Sequence, residues 1–119
     1  MKIAFGLGII AIFLSYGCAT RSDLLGDGVR GIFQSTRQPK LLAVCIDRNA
    51  DGYAYGALES KIIDTGTEPL EVVIRNGPGQ WAVVQIAAVP GGSIATFYLG
   101  GAALINSEQK IDRITEGCR

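Results

Sequence analysis

The sequence predicts a mainly β domain, a small antiparallel sandwich or barrel, that follows a cleaved N-terminal signal and a short tether. Apolar segments with the length and alternation of strands recur from Pro39 onward. Turns rich in Gly separate these segments, and no long helical pattern lies between them. Strands joined by short turns pair most simply as hairpins, which gives an antiparallel arrangement.

The first residues have the layout of an export signal. Lys2 supplies a positive charge, and an apolar run from Ile3 to Leu14 follows it. This run is shorter than the roughly 20 apolar residues that a membrane-spanning helix needs. We therefore predict a signal peptide over residues 1–17 rather than a permanent transmembrane segment.

The signal ends in LSYGC, residues 14–18, which resembles the lipobox of bacterial lipoproteins. In that family a small residue precedes a Cys that receives a diacylglycerol group and fatty acyl chains such as palmitate. Gly17 and Cys18 fit the pattern, although Ser15 stands where Leu is preferred. The resemblance implies cleavage before Cys18, lipidation of Cys18 and attachment to a membrane of the cell envelope. Ala19 after the Cys implies sorting to the outer membrane, with the protein facing the periplasm.

The chain contains three Cys, and lipidation of Cys18 leaves two of them to pair in an oxidising compartment. A disulfide between Cys45 and Cys118 would close a loop of about 70 residues, which contributes roughly 4 kcal/mol by loss of chain entropy in the unfolded state. The alternatives are unpaired thiols at both positions, or an ordinary secretory signal with Cys18 as a disulfide partner. The odd number of Cys favours the disulfide between Cys45 and Cys118.

Residues 18–38 contain the lipidated Cys and a segment with its own pattern. Apolar residues recur about every four positions, as in a helix, but Gly26, Gly28 and Gly31 each weaken a helix by up to about 1 kcal/mol. The segment is a flexible tether, a short helix docked on the domain, or a helix among lipid headgroups. We favour the first two because few Lys or Arg are present to bind headgroups.

The β domain is predicted over residues 39–119. Its five strand candidates are LLAVCID (41–47), YAYGALESKIID (53–64), PLEVVIR (69–75), QWAVVQIAAV (80–89) and SIATFYL (93–99). The fourth is apolar on both faces except at Gln85, as expected of a central strand. The C-terminal tail is predicted as a short helix in preference to a last strand, because Ile111 and Ile114 are spaced for a helix.

The run from Pro69 to Leu99 loosely resembles the strand, Asn, strand, Pro-Gly-Gly, strand order of immunoglobulin-like and transthyretin-like envelope domains. The resemblance implies a sandwich architecture. It transfers no functional residue to this chain.

DRNADGYAYGAL, residues 47–58, has oxygen-bearing side chains at the first, third and fifth positions of a calcium loop. The twelfth position, where an EF-hand has a bidentate Glu, is Leu58. Asn, Asp and Gly are also the residues that a tight hairpin loop needs, and this is the interpretation we prefer. The candidate ligands of a weak calcium site are Asp47, Asn49, Asp51 and the carbonyl of Tyr53.

Tyr53 and Tyr55 are two residues apart and would share one face of a strand. Aromatic side chains in such a position either pack across strands or form a binding surface. We therefore treat Tyr53 and Tyr55 as candidate binding residues.

Composition excludes several functional classes. The 11 basic residues are balanced by 11 acidic ones, so no positive field is present for nucleic acid. The chain has no His, which excludes Ser-His-Asp and Cys-His catalysis and His-based zinc sites. No spacing selects a catalytic carboxylate pair, and no Gly-rich turn carries the Lys of a phosphate loop. We predict that the protein is not an enzyme and needs no cofactor beyond its lipid.

The predicted function is non-covalent binding by a membrane-anchored envelope lipoprotein in a structural or accessory role. The expected partners are membrane lipid at Cys18 and another envelope protein that contacts a sheet face or an exposed edge. One alternative is an inhibitor or immunity-type binder of a secreted or periplasmic enzyme. The other is a weak calcium-dependent binding module.

Overall fold

The structure is a computed structural model that describes residues 20–119. The predicted signal peptide and the predicted lipidation site at Cys18 lie outside these residues. The elements are α1 (Arg21–Gly26), β1 (Gly31–Ser35), α2 (Pro39–Gly52), β2 (Glu59–Ile63), β3 (Leu70–Asn76), β4 (Gly79–Val89), β5 (Gly92–Leu99) and α3 (Ser107–Ile114). Short 3-10 helices follow α2 at Tyr53–Gly56 and β5 at Gly101–Leu104.

The five strands form one antiparallel sheet in the order β1-β5-β4-β3-β2. The predicted antiparallel β class is confirmed. Strands β2 to β5 follow one another as neighbours, whereas β1 lies beside the last strand, β5. The chain must therefore cross the sheet between β1 and β2, and α2 makes this crossing. Helices rather than a second sheet supply the layer that covers the core face.

The segment LLAVCID lies within α2, so its prediction as a strand is wrong. Its seven residues alone fit a strand as well as a helix, but the apolar pattern continues with helical spacing to Ala50. Leu42, Ala43, Ile46 and Ala50 are buried, and they share one face of the helix. Pro39 lies in the first turn, where its missing N–H removes no helical hydrogen bond. The buried face of α2 packs against apolar residues of β3, β4 and β5, including Val72, Val84 and Phe97.

Of the predicted alternatives for the segment before Pro39, the short docked helix is present as α1, and β1 joins the sheet, so residues 20–38 pack on the domain rather than forming a flexible tether. Thr20 caps α1: its hydroxyl accepts from the backbone N–H of Asp23, and the Asp23 carboxylate accepts from the backbone N–H of Thr20 at 2.9 Å. Leu24 is buried beside Gly100, where α1 contacts β4 and β5. Gly28 has a φ of +90°, which suits Gly in the turn after the helix.

The first four residues of the predicted strand 53–64 form a 3-10 helix, and only Glu59–Ile63 pairs in the sheet. The predicted C-terminal helix is present as α3, and its Ile111 and Ile114 are buried in the core. The predicted pairing of Cys45 with Cys118 is present, with their Cα atoms 5.7 Å apart. The disulfide joins α2 to the tail that follows α3.

The guanidinium of Arg21 in α1 forms a bidentate ion pair with Glu71 of β3, and its Nε donates at 2.9 Å. Gln85 of β4 donates a further hydrogen bond to Glu71 at 3.1 Å. The Arg21 hydrogen bonds hold the pKa of the Glu71 carboxyl below its ordinary value of 4.5, partial burial opposes this shift, and Gln85 adds to it. This ion pair and Leu24 together fix α1 on the sheet face opposite α2.

Replacing Glu71 by Gln is expected to destabilise the domain by about 1 kcal/mol at neutral pH, because Arg21 is half exposed and solvent screens the pair. A carboxyl with a lowered folded-state pKa contributes stability above its ordinary pKa, and loses it as the pH falls through the folded-state value. Denaturant unfolding at pH 7 and at pH 3 gives the stability lost between these two pH values. This loss should be smaller in Glu71→Gln than in the wild type. Glu59→Gln, which changes an exposed carboxylate on β2, is the control. Equal losses in Glu71→Gln and the wild type would contradict this account.

Candidate functional site

The segment DRNADG forms the last turns of α2, so its prediction as a hairpin loop is wrong. Asp47 and Asp51 are one helical turn apart and both face β2. The Ser60 hydroxyl lies 2.6 Å from the Asp47 carboxylate and 3.0 Å from the Asp51 carboxylate, and its one proton is shared between these acceptors. Asn49 points to the other side, where its Nδ2 donates to the carbonyls of Ile114 and Glu116 at 3.0 and 2.9 Å.

Asn49 therefore diverges from Asp47 and Asp51, the other two side-chain candidates for calcium. A helix places residues two apart on different faces, so Asp47, Asn49 and Asp51 cannot surround one point as they do in an EF-hand loop. Within residues 20–119, no group of three or more His, Cys, Asp or Glu is arranged to hold a metal ion. The three side chains instead connect α2 to β2 and to the end of α3.

Tyr53 and Tyr55 lie in a 3-10 helix, so the prediction that they share one face of a strand is wrong. The ring of Tyr53 is half-buried against Trp81, with ring centroids 5.6 Å apart, and the Arg113 guanidinium lies 6.0 Å from its centroid. Tyr55 is fully exposed and has a φ of +59°. The first Tyr is thus a packing residue, and only the second is accessible to a partner.

The two edges of the sheet differ in how well they are protected against pairing with a further strand. At β2, the backbone N–H of Ser60 donates to the Asp51 carboxylate at 3.3 Å, so α2 occupies a group that an added strand would need. Glu59 and Lys61 place exposed charges on the same edge. Charges and capping groups of this kind oppose pairing with a further strand. Strand β2 is therefore a blocked edge.

Strand β1 forms the other edge and lacks these features. Its sequence, GIFQS, has no charged residue, and it pairs with β5 from Gly31 opposite Phe97 to Ser35 opposite Ser93. Within residues 20–119, no other strand pairs with β1. The side chain of Ile32 is 62% exposed. An uncharged edge strand with exposed apolar side chains is a template for pairing with another chain.

A groove of about 880 Å³ runs along this edge, and we call it the β1 edge groove. It is lined by residues 32–36, by Val89, Pro90 and Gly91 at the β4–β5 turn, by Ser93 and Ile94 of β5, and by Arg119. Its lining contains one cationic residue and no Asp or Glu. The groove therefore combines a strand edge, a mixed apolar and polar lining and the guanidinium of Arg119.

The end of β1 is held in place from two sides. The Ser35 hydroxyl donates to the carbonyl of Cys118 at 2.7 Å, next to the disulfide. The Ser93 hydroxyl donates to the carbonyl of Arg37 at 2.6 Å, and Arg37 in turn donates to the carbonyl of Gly117 at 2.7 Å. The floor of the groove is thus fixed before any partner arrives, which lowers the entropic cost of binding.

Strand β1 is not among the predicted strands, because Ile32 and Phe33 also fit the apolar stripe of a helix. A signal was present: Gly28 and Gly31 interrupt a helix, and a short apolar run after such residues is consistent with a strand. The groove itself depends on pairing between residues 31–35 and 93–97, which no local pattern reveals.

None of the helices within residues 20–119 has the length and apolar character needed to cross a membrane. Comparison with protein families, with curated proteins and with solved structures found no match to this chain. The function is therefore argued from the chain's own residues and geometry.

Proposed function

We propose that this protein is a bacterial envelope lipoprotein, anchored by diacylglycerol and fatty acyl chains on Cys18, whose domain binds another envelope protein without catalysing a reaction. The contrast between the two sheet edges carries the binding role. Strand β2 is blocked by Asp51 and flanked by charges, whereas β1 is uncharged and lines a groove. A protein under no demand to bind at β1 would be expected to protect both edges.

The position of α1 supports a role close to the membrane surface. Thr20, which caps α1, is two residues after Cys18 in the sequence. Two residues span at most about 7 Å, so a lipid on Cys18 would hold α1 next to the bilayer. Because Leu24 and Arg21 fix α1 to the sheet, the anchor would restrain the whole domain rather than a mobile arm. Outer-membrane sorting, with the domain facing the periplasm, is the location that Ala19 favours.

The anchor is tested by expressing the full chain and its Cys18→Ser variant in a bacterium with labelled palmitate. The wild type should incorporate the label and fractionate with outer membranes, and Cys18→Ser should do neither. Cys45→Ser, which removes a disulfide partner instead, is the matched control and should keep the label. Label in Cys18→Ser, or none in the wild type, would overturn the anchor.

The exposure of Tyr55 favours a second candidate function, that of an inhibitor or immunity-type binder of a secreted or periplasmic enzyme. Its ring is fully exposed on a short 3-10 helix, a position from which an aromatic anchor could enter a pocket of an enzyme. If this is the role, Tyr55→Ala should weaken the complex strongly and substitutions in β1 should not. In-cell crosslinking from Tyr55 and from β1 therefore distinguishes the two candidate functions.

A further inference from the structure

We propose that the β1 edge groove binds an extended, acidic peptide segment of the partner protein as a sixth strand of the sheet. This inference rests on the proposed function in that the segment belongs to the envelope partner. Binding of the peptide itself depends on β1 and does not require a lipid on Cys18.

The backbone of β1 provides the pairing surface. In an antiparallel sheet each strand offers hydrogen-bonding groups on both sides, and β1 pairs with β5 on one side only. Because β2 is blocked, β1 is the edge at which the five-stranded sheet could be extended. Main-chain hydrogen bonds to an added strand give affinity that depends little on the partner's sequence.

The side chains of β1 would contact every second side chain of the added strand. Phe33 packs against the core on the α2 side of the sheet. Ile32, its neighbour, therefore lies on the opposite face, where Ile94 of β5 also lines the groove. A partner strand with an apolar residue at every second position would cover Ile32, which is otherwise 62% exposed to water.

In the register centred on β1, charge favours an acidic segment over a second copy of this chain. Arg30 precedes β1 and is exposed, Arg37 follows it, and Arg119 lines the groove, which contains no acidic residue. In an antiparallel pairing of two copies centred on Phe33, Arg30 of each copy would approach Thr36 and Arg37 of the other. This like-charge approach is unfavourable, whereas Asp or Glu at the ends of a peptide strand would be attracted.

The test uses the full lipidated protein in detergent micelles and a fluorescent synthetic peptide that alternates Val with Glu. Fluorescence anisotropy should show saturable binding. Binding should be at least tenfold weaker for the same peptide with Lys in place of Glu, and for one methylated on alternate backbone nitrogens. On adding the Val-Glu peptide, hydrogen exchange should slow at residues 31–35 and remain unchanged at residues 59–63.

Ile32→Asp should weaken binding of the Val-Glu peptide at least tenfold, because it removes the apolar contact with the Val side chains and places a carboxylate against them. Ile105→Asp is the matched control, because Ile105 is 67% exposed and does not line the groove. Equal affinity of the methylated peptide, or an unchanged affinity of Ile32→Asp, would overturn the proposal. A concentration-dependent dimer without peptide binding would assign the edge to a second copy instead.

The outcome is separable from that of the anchor test. If Cys18 carries no lipid but the Val-Glu peptide binds at β1, the groove stands and the anchor fails. If Cys18 is lipidated and no peptide binds, the anchor stands and the groove proposal fails.

Discussion

Reduction of the Cys45–Cys118 disulfide is expected to lower the free energy of unfolding by about 4 kcal/mol. The bond joins residues 73 apart in sequence, and closing a loop of that length removes a large chain entropy from the unfolded state. For a domain of this size, the loss corresponds to a fall in melting temperature of roughly 15 to 30 °C. Thermal unfolding followed by circular dichroism, with and without a reducing agent, measures it.

The double variant Cys45→Ala, Cys118→Ala separates loss of the bond from other effects of the reductant. It should melt near the temperature of the reduced wild type and should not respond to reductant. Because the carbonyl of Cys118 accepts from Ser35, reduction should also speed hydrogen exchange at the end of β1. An unchanged melting temperature on reduction would show that the disulfide does not stabilise the fold.

Replacing Gly92 by Ala is expected to destabilise the domain by about 3 kcal/mol or more, since the added methyl group overpacks a contact between two strands. A Cβ at position 92 would lie 1.9 Å from the carbonyl oxygen of Ser35 and 2.8 Å from the Cα of Thr36. Both neighbours are backbone atoms and cannot move without shifting the end of β1. Denaturant unfolding gives the loss of stability, and hydrogen exchange should show that it begins at Gly31–Ser35.

Gly91→Ala is the matched control for this prediction. Gly91 lies in the same turn with a φ of +85°, and a Cβ there would meet nothing within 4 Å. Its substitution should cost about 1 kcal/mol, the strain of Ala at positive φ. If both variants lose the same stability, backbone strain rather than the contact with β1 explains the effect.

Three strands were predicted from the sequence to within one residue at each end. PLEVVIR corresponds to Leu70–Asn76, QWAVVQIAAV to Gly79–Val89 and SIATFYL to Gly92–Leu99. These strands pair as hairpins, so their lengths and turns are encoded in neighbouring residues. Local patterns were sufficient where the pairing was also local.

The prediction for α2 was wrong because a short window of apolar residues fits both a strand and one face of a helix. Leu41 and Val44 are exposed, whereas Leu42, Ala43 and Ile46 are buried, a pattern that fits one face of a helix and not an alternating strand. The polar residues after Cys45 were then interpreted as a turn. In the helix, Asp47 and Asp51 instead reach Ser60, a contact with β2 that sequence spacing does not show.

The candidate site was only partly predictable. The pairing of Cys45 with Cys118 followed from counting Cys residues, and a sheet edge was anticipated as a contact surface. Which edge is open depends on long-range contacts: Ser60 with Asp51 at β2, and Ser35 with Cys118 at β1. These contacts exist only in the assembled sheet.

The most direct test of the central claim places a photocrosslinking amino acid at Gln34, an exposed residue of β1, in the lipidated protein in living cells. Matched positions are Lys61 on β2 and the exposed Tyr55. We predict that Gln34 alone gives a crosslink, and that mass spectrometry maps it to an extended, acidic segment of an envelope protein. Crosslinks from Tyr55 or Lys61 with none from Gln34 would contradict the account.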